Sequence, residues 1–470
     1  MPGVKKLSRG LVADDDFNLV RRDLFIEGAR IVAEPDGPVG EVFEASDYII
    51  LPGLVNAHLH SNETFLKGLF DHLPTETWAL LVYSSPRPVK LTPAQARLRT
   101  RLTAAEMLLS GVTTAIDHLY DPGLTEGNLE AAVRGYEEAG LRTVICLGAA
   151  DIGPEETFPA LAGRIRAAKT HLEVLNTCGC LLREFVGRET IKIGLGPTRP
   201  QRCTDDLLSG LAELADEYDT VIHTHLLETR RQAFRTRSNL AARLKRLGFS
   251  SPRVSYSHCV WNSEAENELI AATGAAVVHN PISNLKLGNG VADVAGFVRR
   301  GINVALGTDG AAANDSLSLI EVIKAAGLIS QKIEGAPLQP SSILAAATKG
   351  GAQSAGLADQ SGRLAPGGLA DLVLLPLDQP AFTPLNNFVR QMTYCSPKVS
   401  HVMVHGEWSV KDGRPSRFDL SSLLEEVNEE WPAVNEQIMT SLKAAEELKA
   451  LVEPGFRRGL KRLKNLAGLK

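Results

Sequence analysis

The sequence predicts an α/β fold: a (β/α)8, or TIM, barrel with a small β-sandwich domain formed by both chain ends. Three observations carry this. Eight apolar runs, most of them rich in Val and Ile and without polar alternation, recur through the middle of the chain, as expected for strands buried on both faces of a parallel sheet. Helical patterns fill the gaps between them. Short strands with glycine turns lie outside that rhythm, before and after it.

The barrel strands are expected at residues 49–56, 112–117, 142–148, 191–196, 220–224, 253–257, 275–278 and 302–307. Thr92-Pro93 opens a helix over 94–109, with proline at the favoured first position and Gly111 as the stop. Further helices are expected at 205–218, 230–247, 264–273 and 317–330. Short strands at 24–32, 47–51, 364–376 and 401–410 would pair into the sandwich. The expected division is therefore 1–55 and 359–417 for the two sandwich parts, 56–358 for the barrel and 418–470 for a C-terminal helical extension. Its basic tail, from Gly459 to Lys470, leaves an apolar stripe that could dock on the barrel or on a partner subunit. A solvated helix face is the plainer expectation there.

The chain has 470 residues, long for one ordinary domain and suited to a barrel plus a smaller partner. A net charge of −5 argues against a general nucleic-acid binder, which needs a basic face to neutralise phosphates. The six cysteines (Cys146, Cys178, Cys180, Cys203, Cys259 and Cys395) form no C-x-x-C pair and read as reduced thiols. No apolar run approaches the roughly 18 residues that span a bilayer, and the first ten residues do not resemble a secretory signal. A cytoplasmic protein with no membrane partner is expected, assembled as a homodimer or higher homo-oligomer.

Chemistry in such barrels gathers at the C-terminal ends of the strands, where the loops open. Here those ends are Asn56-Ala57-His58-Leu59-His60, His223-Thr224-His225-Leu226-Leu227-Glu228, Ser257-His258-Cys259 and Thr308-Asp309-Gly310. His-x-His on a strand puts both imidazoles on one face, because side chains alternate with a period of two. Two neutral imidazoles are half of a site for zinc or a similar metal, and a third histidine and a carboxylate complete it. Of the strand-five histidines, His225 stands at the rim and is assigned to the metal, while His223 lies deeper and reads as a core histidine. Glu228, three residues on, can curl over the site. Strand four ends Gly194-Leu195-Gly196-Pro197-Thr198, and its lysine, Lys192, sits near the start. With no bridging group there, one divalent metal per chain is expected.

At these residues the chain resembles the amidohydrolase superfamily, in its branch of cytosine deaminase-like and chlorohydrolase-like enzymes. The likeness runs through Pro52-Gly53-Leu54-Val55-Asn56-Ala57-His58-Leu59-His60, His225-x-x-Glu228, His258-Cys259-Val260, His279-Asn280-Pro281-Ile282-Ser283-Asn284 and Gly307-Thr308-Asp309-Gly310, and on to Gly362–Leu372. The resemblance implies that His58, His60, His225 and Asp309 hold the metal, zinc in most relatives and iron in some. It also implies that Asp309 takes a proton from water, Glu228 protonates a ring nitrogen of the substrate, and His258 stabilises the developing tetrahedral centre. The implied reaction is hydrolytic deamination of an amino-substituted nitrogen heterocycle. Displacement of chloride or an alkylamine from an s-triazine-like ring is the alternative. A non-catalytic barrel scaffold predicts loss of a metal ligand, and none is lost.

Substrate contacts are expected from Trp78, His118, Thr198, Arg199, His279 and Asn284. Relatives that deaminate S-adenosylhomocysteine or adenosine usually carry a histidine in a Gly-Pro-His-Ser-Pro stretch, where this chain has Gly196-Pro197-Thr198-Arg199-Pro200. They also tend to place a carboxylate after the tryptophan matched by Trp78, where this chain reads Tyr83-Ser84-Ser85-Pro86-Arg87-Pro88. Both departures argue against a nucleoside and for a compact acidic or carbonyl-rich ring, with Arg199 and Arg87 as possible contacts.

Overall fold

The computed structural model describes residues 3–35, 37–120, 126–165, 167–236, 240–331 and 337–466, with side chains of the last helix described as far as Val452. Among the described residues, seventeen strands fall into two sheets. The N-terminal end supplies β1 (Val4–Ala13), β2 (Leu19–Glu27), β3 (Arg30–Val32), β4 (Val39–Glu44) and β5 (Tyr48–Pro52). The middle supplies β6 (Leu54–Leu59), β7 (Val112–Leu119), β8 (Arg142–Ala149), β9 (Ile191–Pro197), β10 (Ile222–Leu226), β11 (Val254–His258), β12 (Ala276–His279) and β13 (Asn303–Leu306). The remainder supplies β14 (Leu372–Pro376), β15 (His401–Val404), β16 (Glu407–Lys411) and β17 (Arg414–Pro415).

Strands β6 to β13 pair in chain order, all parallel, with helices between them. The first and last are laced together where the site lies. Asp309 N donates to His58 O at 3.0 Å. The Asn56 amide donates to Thr308 Oγ1 at 2.8 Å and accepts from Thr308 N at 3.0 Å. Ile116 and Val221 belong to a buried apolar layer that also holds Val144, Cys146, Val278 and Ala305. By the strand period these two share faces with His118 and with His223 and His225, so the layer lies beneath the histidines. Cys146, Cys178, Cys203 and Cys259 are buried free thiols, and Cys180 and Cys395 are exposed.

The other sheet runs β17-β16-β15-β14-β5-β1-β2-β3, with β4 on β1. Antiparallel pairing of β5 with β14, Leu51 opposite Val373, joins the two chain ends. The strand expected at 49–56 is thus two strands with different partners. At the break, Gly53 N donates to Asp371 O and Leu54 N to Gly111 O. A Cβ on Gly53 would collide with Thr113, so only glycine permits this crossing. The sequence pattern does not reveal strand β1, because Lys5, Lys6 and Arg9 interrupt its apolar residues. Its Val4, Leu7 and Val12 are buried, while the lysine stems reach outward to Glu407 and Asp23, each at 2.7 Å.

Helix Pro93–Leu109 begins with a capping box: Gln95 N donates to Thr92 Oγ1 at 3.2 Å and Thr92 N to Gln95 Oε1 at 3.0 Å. The helix expected over 230–247 is described as Arg230–Thr236 and Leu240–Arg246. The C-terminal helix, Leu420–Leu466, lies across the barrel rim. Its Val434 and Ile438 pack on Phe65, Ala445 joins the cluster of Trp78, and Leu448 and Val452 meet Leu80 and Leu161. The side chains of the 459–470 tail lie outside the described residues. Among the described residues, no helix is long and apolar enough to cross a membrane.

Candidate active site

Strand β6 delivers His58 and His60, β10 delivers His225, β11 ends in His258, and the turn after β13 carries Asp309. All five side chains are buried. His58 Nε2 and His60 Nε2 stand 3.6 and 3.5 Å from Asp309 Oδ1. His60 Nε2 and His225 Nε2 face each other at 3.2 Å, and His258 Nε2 is 3.9 Å from Asp309 Oδ2. Backbone at this rim is bent: Leu227, His258 and Asp309 take φ of 45°, 74° and 65°. Left-handed backbone at non-glycine residues costs about 1–2 kcal/mol each and collects where a site requires it.

The far side of each imidazole is already committed. His60 Nδ1 bonds the carbonyl of His118 at 2.7 Å, and His225 Nδ1 that of Thr198 at 2.6 Å. A carbonyl can only accept, so each Nδ1 carries the proton and each Nε2 keeps its lone pair toward the centre. His58 Nδ1 contacts His223 Nε2 at 2.7 Å, and His223 Nδ1 contacts Ser255 Oγ at 2.6 Å. His58 Nε2 has no hydrogen-bond partner despite full burial. Inward lone pairs, an orphaned buried nitrogen and a carboxylate within 4 Å fit a divalent cation. The two groups that can hold an ion, His58-His225-His258 and His58-His60-Asp309, share His58 and form one centre among the described residues.

Electrostatics favour neutral imidazoles at His58 and His225, a raised His60 and an ionised Asp309 carboxylate. Burial, then the neighbouring histidines, hold His58 and His225 well below the ordinary histidine range. Burial alone would lower His60 as well, but Glu63 and Asp309 outweigh it and leave it raised. Burial pushes the Asp309 carboxyl upward, yet His258, His60 and His225 more than reverse this and hold it low.

A cavity of about 1030 Å³ opens over the centre and is lined by His60, His118, His225, Glu228, His258 and Asp309, with Trp78, Thr198 and Arg199 in its walls. Glu228 is buried, and its Oε1 accepts from Asn289 Nδ2 at 2.9 Å and from Thr75 Oγ1 at 3.3 Å. Two residues expected to touch substrate are not among those lining the cavity. Asn284 instead meets His258 Nδ1 through its Oδ1 at 2.8 Å, and His279 is enclosed, held down to about 3 by burial. Arg87 is exposed and lines no part of the cavity. Trp261 is not in the cavity wall; it spends its Nε1–H on Asn289 O at 2.7 Å.

Two residues of the site carry more than the sequence reading gave them. His223 is the buried core histidine expected at that depth, bonded at both nitrogens, and its Nε2 also holds His58 by the Nδ1 of that residue. Glu63 is fully buried beside the centre, its carboxyl pushed up to about 7 by burial. Its signal in the sequence is the spacing His60-x-x-Glu63, which repeats that of His225-x-x-Glu228.

The sequence pattern of the amidohydrolase family matches residues 49–409, which takes in every residue of this centre. The chain belongs to the amidohydrolase family. This amidohydrolase is 32% identical over 412 residues to the 5'-deoxyadenosine deaminase of Methanothermobacter thermautotrophicus, covering 85% of this chain and 91% of that one. It is 32% identical over 431 residues to the 5-methylthioadenosine/S-adenosylhomocysteine deaminase of Desulforudis audaxviator, covering 88% and 94%. Among solved structures, an adenosine deaminase from Xanthomonas campestris with bound zinc is similar at a TM-score of 0.80 and 25% identity, covering 93% of this chain and 98% of that one. The atrazine chlorohydrolase of Arthrobacter aurescens complexed with zinc shares the fold, with a TM-score of 0.81 at 24% identity over 92% and 100% of the two chains.

Proposed function

We propose that this amidohydrolase is a deaminase: it adds water to the amino-bearing ring carbon of a nitrogen heterocycle and releases ammonia. The observation that carries the reading is the convergence of inward imidazole lone pairs, the Asp309 carboxylate and the cavity-facing Glu228. His58, His60, His225 and Asp309 would hold one divalent ion, with zinc as the expected metal. When bound, such an ion lowers the pKa of water from about 15.7 to near 7.

The protein's own groups divide the remaining work. Glu228, held by Asn289 and Thr75, gives a proton to the ring nitrogen next to the attacked carbon and makes that carbon more electrophilic. Asp309 takes a proton from the attacking water. His258, its Nδ1 proton spent on Asn284 Oδ1, holds the attacking water through Nε2 and, once it has taken up a proton, donates to the oxygen as the ring carbon becomes tetrahedral. Asp309 passes the water's proton to the amine, the C–N bond breaks and ammonia leaves, and the proton remaining on the oxygen goes to Glu228 as the carbonyl forms, which restores both carboxyl groups. Each positioned proton transfer contributes about 10²–10⁴-fold.

The substrate class we favour is an aminopurine nucleoside. Thr198 and the 84–88 stretch argue against one, but two observations outweigh them. The cavity, at about 1030 Å³, is far roomier than a free base requires. Glu76, two residues before Trp78, also lines it and offers a carboxylate to sugar hydroxyls. The names of the relatives point the same way. Ammonia release from 5'-deoxyadenosine, 5-methylthioadenosine and S-adenosylhomocysteine, against free adenine, cytosine and amino-s-triazines, tests this. Highest kcat/KM on a nucleoside is expected, and highest kcat/KM on a free base or triazine contradicts it.

A further inference from the structure

Beyond the groups that face the reaction, one buried carboxylate is built into the structure of the site. Glu63 sits in the 3-10 turn Ser61–Leu66 that follows His60. It lines no part of the cavity. One of its oxygens accepts the Tyr83 hydroxyl proton, and the other accepts from Ala312 N at 3.2 Å. Tyr83 lines the cavity and packs edge-on against Trp78 and Tyr120, with ring centroids at 5.8 and 5.4 Å. Ala312 lies in the short helix directly after Asp309 and Gly310, and its carbonyl accepts from Trp78 Nε1 at 3.3 Å. A Cβ on Gly310 would collide with the Glu63 carboxylate, so backbone and carboxylate are in close contact.

We infer that Glu63 is a positioning residue, fastening the Asp309 turn on one side and the aromatic cavity wall at Tyr83 on the other. This rests on the metal-dependent reading above. The two halves separate cleanly. Loss of the hold on Ala312 loosens Asp309 and so weakens metal binding. Loss of the hold on Tyr83 alone loosens the wall and so weakens substrate binding. Glutamine is the discriminating replacement: its carbonyl can accept from Ala312 N–H while its amide donates to the tyrosine oxygen. It keeps both bonds and removes the charge.

The test measures zinc affinity by competition with a chromogenic chelator, and then kcat and KM on 5'-deoxyadenosine. Glu63→Ala is expected to lose about 10–100-fold in zinc affinity, as when the group that orients a ligand is removed. Glu63→Gln is expected to stay within about threefold of wild type in zinc affinity, since both its hydrogen bonds survive. Tyr83→Phe is expected to keep zinc affinity and raise KM with little change in kcat. Unchanged zinc affinity in Glu63→Ala overturns the inference, as does a loss in Glu63→Gln equal to that in Glu63→Ala. Should the alanine variant fail to fold, Glu63→Asp, one methylene too short to reach both partners, must show the zinc loss instead. The zinc arm needs no turnover, so an enzyme that released no ammonia would refute the deaminase reading while still deciding the role of Glu63.

Discussion

Two turns of the barrel rim carry the same pattern, histidine followed three residues later by glutamate, and use it in opposite ways. After β10, His225 leads to Glu228, whose carboxylate faces the cavity with Asn289 and Thr75 behind it. After β6, His60 leads to Glu63, whose carboxylate turns away from the cavity onto Tyr83 and Ala312. Spacing therefore brings a carboxylate to the rim, and the partners waiting there decide whether it faces substrate or structure. One helix, Thr75–Tyr83, serves both turns: Thr75 supports Glu228, and Tyr83 bonds Glu63.

The largest effect is expected where the two turns are alike. His60→Ala and His225→Ala should each lose the metal, as read by elemental analysis, and bring ammonia release to background. If one variant kept both metal and turnover, the two histidines would not be equivalent ligands. The next effect separates the turns. Glu228→Gln should keep the metal and lose at least about 10²-fold in kcat, as expected for removal of a positioned proton donor. Loss of metal in that variant would place Glu228 in the same structural class as Glu63.

A smaller effect belongs to the support of the histidines. His223→Ala should weaken zinc binding by about 10–100-fold through His58, read by chelator competition. A variant with full affinity would return His223 to the plain core role. The smallest effect is on the cavity side: Thr75→Val removes the single hydroxyl proton that lies between Asn289 Oδ1 at 2.6 Å and Glu228 Oε1 at 3.3 Å. At about 1–1.5 kcal/mol this lowers kcat roughly 5–10-fold. A loss matching that of Glu228→Gln would mean that Thr75 itself handles the proton.

Much of this was legible in the sequence, for reasons tied to particular residues. The barrel strands are buried on both faces and show as unbroken apolar runs, and the period of two places His58 beside His60 without any knowledge of the fold. Strand β1 is hidden in the sequence because Lys5, Lys6 and Arg9 carry charge on long stems that reach water and partners from a strand whose Val4, Leu7, Gly10, Val12 and Ala13 are buried. The break at Gly53 was hidden because a strand that changes sheets keeps its apolar run intact. His279 and Asn284 do not reach the cavity as expected, because sequence order shows which loop a residue follows, not which way its side chain turns. Glu63 had the right spacing in plain view, but its partners Tyr83 and Ala312 lie 20 and 249 residues away along the chain. Long-range packing of that kind leaves no local pattern.

The most direct test of the account is a metal titration of the chelator-stripped enzyme, with ammonia release from 5'-deoxyadenosine followed at each addition of zinc. Activity should be absent at the start, rise in proportion to added zinc and level off at one equivalent per chain. Full turnover without metal, or a rise that continues to two equivalents, would contradict a single centre built from His58, His60, His225 and Asp309.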